Sequence, residues 1–111
     1  MNEPTLYPKS GLIRFKIELS YDGTNFSGWA KQPNLRTVQG EIEASLAKVI
    51  GAPVDTIVGG RTDAGVHALA QIIHIDLPDS FNEIENLAFK LNRILDEDIR
   101  INNCEVALVN F

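Results

Sequence analysis

Hydrophobic and polar residues alternate along two stretches of the chain, and each alternation predicts a half-buried strand. Every second residue of 13–21 is apolar, and the residues between are charged or polar. This is the two-residue period of a strand with one face in a core. Residues 70–78 repeat the pattern before Pro78 ends it. A β-branched run at 54–58 and an apolar run at 99–109 predict two more strands.

Two other stretches have the three-to-four-residue period of amphipathic helices. In the first, Thr37 is a suitable N-cap and Gly51 a suitable stop signal. In the second, Ser80 and Glu83 have the spacing of a capping box. The apolar positions on the two stripes are Val38, Ile42, Leu46, Val49 and Ile50, then Ile84, Leu87, Ala88, Leu91, Ile94 and Leu95.

The predicted order is β-α-β-β-α-β, which is typical of an α+β, ferredoxin-like sandwich with two helices on one face of an antiparallel sheet. We expect residues 1–11 to form a flexible N-terminal tail and residues 12–111 to form the domain. The second sheet face is left for water or a partner. Its candidate residues are Arg14, Lys16, Glu18, Ile72 and His74.

Length, net charge and cysteine content limit the classes of protein to which the chain can belong. A length of 111 residues fits one domain, and a formal net charge of −5 has the wrong sign for a surface that grips nucleic acid by itself. The single cysteine, Cys104, predicts a reducing compartment and a buried small side chain. We see neither a signal peptide nor a membrane-spanning run, so the sequence predicts a cytoplasmic location.

The segment "VGGRTDAGVHALAQ" carries the candidate chemistry. It has the glycine spacing of a phosphate loop, but Val66 and His67 stand where Lys and Ser or Thr are needed. Asp63 and His67 are too few for a metal site, and no serine or cysteine nucleophile is close in the sequence. Taken alone, the segment is typical of a turn.

A family resemblance changes this interpretation. "GGRTDAGVHALAQ" resembles the signature of the TruA family of tRNA pseudouridine synthases, "YDGTNFSGWAKQ" resembles the family's first motif, and "RTVQGEIEASLAKVIG" resembles its first helix. The resemblance runs from about Ile13 to the C-terminus. It implies a ferredoxin-like N-terminal domain, in agreement with the pattern.

The resemblance implies an isomerase that converts uridines in the anticodon stem-loop of tRNA to pseudouridine, with no metal or organic cofactor. The family's catalytic aspartate maps onto Asp63, as a nucleophile or as a base at the sugar. A nucleophilic carboxylate has to stay ionised, so it needs a cation or backbone N–H groups nearby. The family also implies a homodimer.

The neighbours of Asp63 have weaker assignments. By resemblance, Arg61 contacts RNA and helps to hold or replace the flipped base, although a structural ion pair is the alternative. His67 is assigned either an RNA contact or a structural role. Thr62 shapes the turn, and Gly60 and Gly65 allow a tight backbone.

The first motif is predicted to be mainly structural. Tyr21 belongs to the apolar face, and Asp22 is a turn residue that caps local N–H groups. We expect Trp29 to lie in an exposed loop, where it could dock a missing second half.

The chain ends directly after an apolar run, so we expect a fragment that lacks the family's second domain and is inactive or nearly so alone. The alternative is a non-catalytic ferredoxin-like module that binds RNA or protein.

Overall fold

The described part of the chain confirms the predicted element order. The computed structural model describes residues 11–58 and 68–107. Its elements are β1 (Leu12–Tyr21), α1 (Val38–Ile50), β2 (Ile57–Val58), β3 (Ala68–Pro78), α2 (Ile84–Ile94) and β4 (Ile99–Val106), with a 3-10 turn at Gly23–Asn25. Of the predicted N-terminal tail, residues 1–10 lie outside the described residues.

The four strands form one antiparallel sheet in the order β2-β3-β1-β4. At its centre Ile17 of β1 lies opposite Ile73 of β3 and Cys104 of β4. Residues directly opposite one another share a sheet face, so the alternation of each strand sends its apolar side chains to the same side. The predicted α+β, ferredoxin-like arrangement is therefore confirmed.

One apolar core lies between the sheet and the two helices. Residues of β1, β3 and β4 meet residues of α1 and α2 in this core, so both helices cover the same sheet face. Burial of this surface is the main favourable contribution to folding. Its fully buried members include Ile17, Leu19, Val38, Ile42, Leu46, Ile73, Ile75, Leu77, Leu87 and Leu91.

Both predicted ends of α1 are confirmed. The side chain of Thr37 accepts a hydrogen bond from the N–H of Gly40, at 3.2 Å. Gly51 closes the helix with a left-handed φ of 87°, and its N–H donates to the carbonyl of Ala47. Glycine adopts this conformation without the steric cost that a Cβ would bring.

The predicted capping box of α2 is wrong. The helix begins at Ile84, and its N-cap residue, Glu83, makes no side-chain cap hydrogen bond. The preceding residues form a turn in which the N–H of Phe81 donates to the carbonyl of Pro78. This turn brings the ring of Phe81 edge-on to Phe15, with centroids 6.1 Å apart. The Glu83 carboxylate instead accepts a hydrogen bond from Lys90, at 2.8 Å.

Strand β2 is shorter than the run at 54–58 predicts. Val54 and Thr56 are buried, yet only Ile57 and Val58 pair with β3. The N–H of Thr56, directly before the paired residues, donates to the carboxylate of Glu43 on α1, at 3.1 Å. A helix side chain thus satisfies a backbone donor next to the strand.

No helix in the described ranges 11–58 and 68–107 is long and apolar enough to cross a membrane.

Cys104 lies on the core side of β4, as the pattern predicts. It is half-buried, whereas the pattern predicts a buried side chain. Burial raises the pKa of its thiol to about 12. Because the thiolate is the reactive form, burial suppresses the chemistry of this residue.

We expect Cys104 in the folded chain to react with a thiol reagent at pH 8 at least about a hundredfold more slowly than in the unfolded chain. The thiolate population of the folded chain should rise as the pH approaches 12. Release of thionitrobenzoate, followed with and without guanidinium, measures both rates. Equal rates in the two conditions would show that the thiol is not shielded.

Candidate functional site

The residues predicted to carry the chemistry lie outside the described residues. These are Gly60, Arg61, Thr62, Asp63, Gly65 and His67. Their assignments therefore stay predictions. The structure does describe the strands on either side, since β2 ends at Val58 and β3 begins at Ala68. The segment 59–67 thus connects two neighbouring antiparallel strands.

The start of β3 lies at the end of the sheet where β1 finishes. Ala68 pairs with Tyr21, the last residue of β1, and Tyr21 also pairs with Ile99, the first residue of β4. The next residue, Asp22, donates its N–H to the carbonyl of Asp98 at 2.9 Å. The two motif segments therefore meet at one end of the sheet.

Aromatic residues of the first motif form a buried cluster next to this end of the sheet. Tyr21, Phe26 and Trp29 are all buried, with ring centroids 6.5 Å apart for Tyr21–Phe26 and 6.2 Å for Tyr21–Trp29. The core position predicted for Tyr21 is confirmed. The exposed position expected for Trp29 is wrong, since only 1% of its surface is accessible.

Backbone hydrogen bonds explain why Trp29 is buried. The N–H of Gln39 donates to the carbonyl of Trp29 at 2.9 Å, and the N–H of Val38 donates to that of Gly28 at 3.2 Å. The segment after β1 is thereby held against the start of α1, and the indole ring turns into the core. Loop position in the sequence gave no sign of this contact.

Asp22 has the local role predicted for it. Its carboxylate accepts hydrogen bonds from the N–H and the hydroxyl of Thr24, at 3.0 and 2.6 Å. These bonds cap the 3-10 turn at Gly23–Asn25. The carboxylate thus stabilises the turn that follows β1.

Arg36 is a structural residue that sequence reasoning missed. It pairs with Asp98 at 2.8 Å, with Asp96 at 3.2 Å and with Glu41 at 3.8 Å, and it lies over the ring of Phe26 at 4.1 Å. The hydrogen bond to Asp98 raises the pKa of the guanidinium. Because its main partners are some sixty residues away, no local pattern could have identified the contact.

Glu43 is a second residue that the pattern did not single out. Its side chain is only 10% exposed, and it accepts hydrogen bonds from Lys31, Gln39 and Thr56. Burial raises the pKa of the Glu43 carboxyl, but the hydrogen bonds from Lys31 and Thr56 lower it by more. The carboxylate is therefore held in its charged form.

The sheet face away from the helices carries paired charges. Arg14 donates two hydrogen bonds to Asp76, at 2.8 and 2.9 Å, and Lys16 lies 3.1 Å from Glu105. Burial, followed by the charge of Arg14, lowers the pKa of His74; Asp76 opposes this shift and Lys16 adds to it. These cations are neutralised within the face, which reduces its attraction for phosphate.

Within ranges 11–58 and 68–107, no group of three His, Cys, Asp or Glu side chains is placed to hold a metal ion.

Sequence comparisons place these features among known proteins. A family model described as tRNA pseudouridine synthase matches residues 19–110. A protein named tRNA pseudouridine synthase A from a strain of Frankia casuarinae is 52% identical over 92 residues, which cover 82% of this chain and 33% of that protein. The chain spans about a third of the length of the curated relatives it matches.

Two further relatives have the same name. The protein from a strain of Cutibacterium acnes is 47% identical over 90 residues, covering 79% of this chain and 32% of the relative. The protein from Streptococcus pyogenes serotype M49 is 48% identical over 101 residues, covering 90% and 40%.

Proposed function

The chain belongs to the tRNA pseudouridine synthase family, and from this premise we propose that it forms the part of such an enzyme that carries the catalytic carboxylate, Asp63. In this proposal the whole protein isomerises uridines in the anticodon stem-loop of tRNA to pseudouridine. It acts in the cytoplasm as a homodimer, without a metal or organic cofactor. A second domain completes the cleft.

One observation carries the proposal most directly. The segment with Asp63 falls inside the range matched by the family model, residues 19–110. The strands that flank it also support the proposal, because Ala68 pairs with Tyr21 and thereby joins the second motif to the first. Segments that connect the strands of a rigid sheet commonly carry catalytic side chains.

The reaction needs no oxidant or reductant. The bond between C1′ of the ribose and N1 of uracil breaks, and a bond between C1′ and C5 forms. The hydrogen on C5 leaves as a proton, and N1 gains a proton. We assign Asp63 either attack on C1′ or removal of a proton from the sugar, and both routes need the ionised carboxylate.

Access to the base requires that the nucleotide leave its stack. We assign Arg61 to this step, because a guanidinium can hold a phosphate or stand in the place of a flipped base. His67 remains a candidate RNA contact. Gly60, Thr62 and Gly65 shape the backbone around Asp63.

The charge of the chain indicates where most phosphate contacts originate. The net charge is −5, and Arg14, Lys16, Lys31 and Arg36 each lie within 4 Å of a carboxylate. Since phosphate contacts supply most of the non-specific affinity for nucleic acid, we propose that the rest of the protein provides the main basic surface. The 111-residue chain alone should bind tRNA weakly.

Release of tritium from tRNA labelled at C5 of uridine tests the proposed activity, because that hydrogen is lost only when C5 forms its new bond. We expect the whole protein to release tritium from an unmodified transcript, and the 111-residue chain to release little or none. A transcript with cytidine at the anticodon stem-loop uridines is the matched control substrate.

Each outcome of this assay separates the candidate functions. Absence of release by the whole protein would overturn the synthase proposal. Equal release from the control transcript would overturn the assignment to the anticodon stem-loop. Tight RNA binding without release, unchanged when Asp63 is replaced, would instead support the non-catalytic binding module.

A further inference from the structure

The carboxylate of Glu43 joins α1 to the chain just before β2. One oxygen accepts a hydrogen bond from the Lys31 ammonium at 2.8 Å. The other accepts from the N–H of Thr56 at 3.1 Å and from its hydroxyl at 3.0 Å. The side-chain amide of Gln39 donates to the same oxygen, at 3.1 Å.

This arrangement is more specific than core packing requires. A buried carboxylate loses its hydration, so an apolar side chain of similar volume would join a helix to a strand at lower cost. The carboxylate adds specificity for one position of the chain, because it accepts a hydrogen bond from the backbone N–H of Thr56. The contact with Thr56 lies directly before Ile57, the first residue that pairs with β3.

The described part of strand β2 lies between this contact and the segment that carries Asp63. It consists of Ile57 and Val58, which pair with His74 and Ile73. Gly59 follows directly, at the start of the segment that carries Asp63.

The same network reaches the first motif. The side-chain oxygen of Gln39 accepts from the N–H of Lys31 at 2.8 Å, and its amide nitrogen donates to Glu43 and, at 3.2 Å, to the hydroxyl of Thr56. The chain after Trp29 and the chain before Gly59 are thus bound to one carboxylate. The ion pair between Lys31 and Glu43 contributes little to the free energy of unfolding, since the Lys31 side chain is 59% exposed.

We propose that Glu43 is a positioning residue for the reaction. Through the backbone of Thr56 it holds β2 in place, and with it the point at which the chain enters the segment that carries Asp63. The link to catalysis rests on the proposed function, whereas the hold on β2 does not. The two parts therefore call for two measurements.

Asn92 offers a matched control. Its side chain accepts from the N–H of Ile101 at 2.8 Å and donates to the carbonyl of Ile101 at 3.0 Å. It therefore binds α2 to the backbone of β4 much as Glu43 binds α1 to the chain before β2. Strand β4 does not lead into the segment 59–67.

The first measurement is amide hydrogen exchange in the 111-residue chain. We expect Glu43→Ala to speed exchange at Thr56, Ile57 and Val58 at least tenfold more than at Ile101. Asn92→Ala should show the opposite distribution. Should Glu43→Ala fail to fold, Glu43→Gln serves in its place, because the amide oxygen still accepts from Thr56 and a smaller change in the same direction is expected.

The second measurement is turnover by the whole protein on tRNA. We expect Glu43→Ala to lower kcat about tenfold or more with KM within about twofold, and Glu43→Gln to recover part of the loss. Asn92→Ala should keep the wild-type kcat at temperatures where it is folded.

Unchanged exchange at Thr56–Val58 in Glu43→Ala, or an equal effect of Asn92→Ala there, would overturn the hold on β2. A wild-type kcat in Glu43→Ala would overturn its role in the reaction. If the wild-type protein forms no pseudouridine, the proposed function fails, and the exchange experiment still decides whether Glu43 positions β2.

Discussion

Asp63→Asn is expected to abolish pseudouridine formation by the whole protein. The change keeps the size of the side chain but removes its charge, so the amide can neither attack C1′ nor accept a proton. Loss of a general base lowers turnover by roughly 10²- to 10⁴-fold, and loss of a nucleophile can cost about 10⁶-fold. The size of the loss therefore also bears on which of the two roles Asp63 has.

Tritium release under single-turnover conditions measures this effect, and filter binding measures the affinity for tRNA. We expect the affinity to be kept or slightly raised, because a negative charge near phosphate is removed. Asp79→Asn is the control. It is the same chemical change at an exposed residue just after β3, at the opposite end of that strand from Ala68. Wild-type turnover in Asp63→Asn would refute the assignment.

Trp29→Ala is expected to destabilise the chain by about 3–5 kcal/mol, the usual cost of truncating a large buried aromatic side chain. Only 1% of the Trp29 surface is accessible, and its ring packs beside Tyr21. Since domains of this size are stable by only about 5–15 kcal/mol, the variant should lose a large share of its free energy of unfolding.

Urea unfolding measures this loss. It is followed by circular dichroism and not by tryptophan fluorescence, because the variant lacks the single tryptophan. Leu35→Ala is the control in the same segment. Leu35 is 50% exposed, and substitutions at such positions usually change stability by less than about 0.5 kcal/mol. A loss below about 1 kcal/mol in Trp29→Ala would mean that the ring lies at the surface.

Secondary structure was predictable where one face of an element is buried. The alternation in β1 and β3 and the apolar stripe of α1 each report a single interface, so their period follows from local geometry. The cap at Thr37 and the stop at Gly51 were predictable for the same reason, because their hydrogen bonds are made within one turn of the helix.

Predictions of secondary structure failed where a segment makes contacts with residues far away in the sequence. Ser80 and Glu83 have the spacing of a cap, but the chain there turns at Pro78 and the ring of Phe81 packs on Phe15. The run at 54–58 has the composition of a strand, but Glu43 takes the N–H of Thr56. Neither contact can be recognised in a window of a few residues.

The sequence by itself determined the element order and the two faces of the sheet, because periodicity is a local property. Its motifs indicated the family by resemblance. It also singled out Asp63, by resemblance. Only the tertiary structure decided that Trp29 is buried, that Arg36 binds Asp98 and that Glu43 holds Thr56. Such contacts join residues that the fold brings together from different elements, and no period along the chain records them.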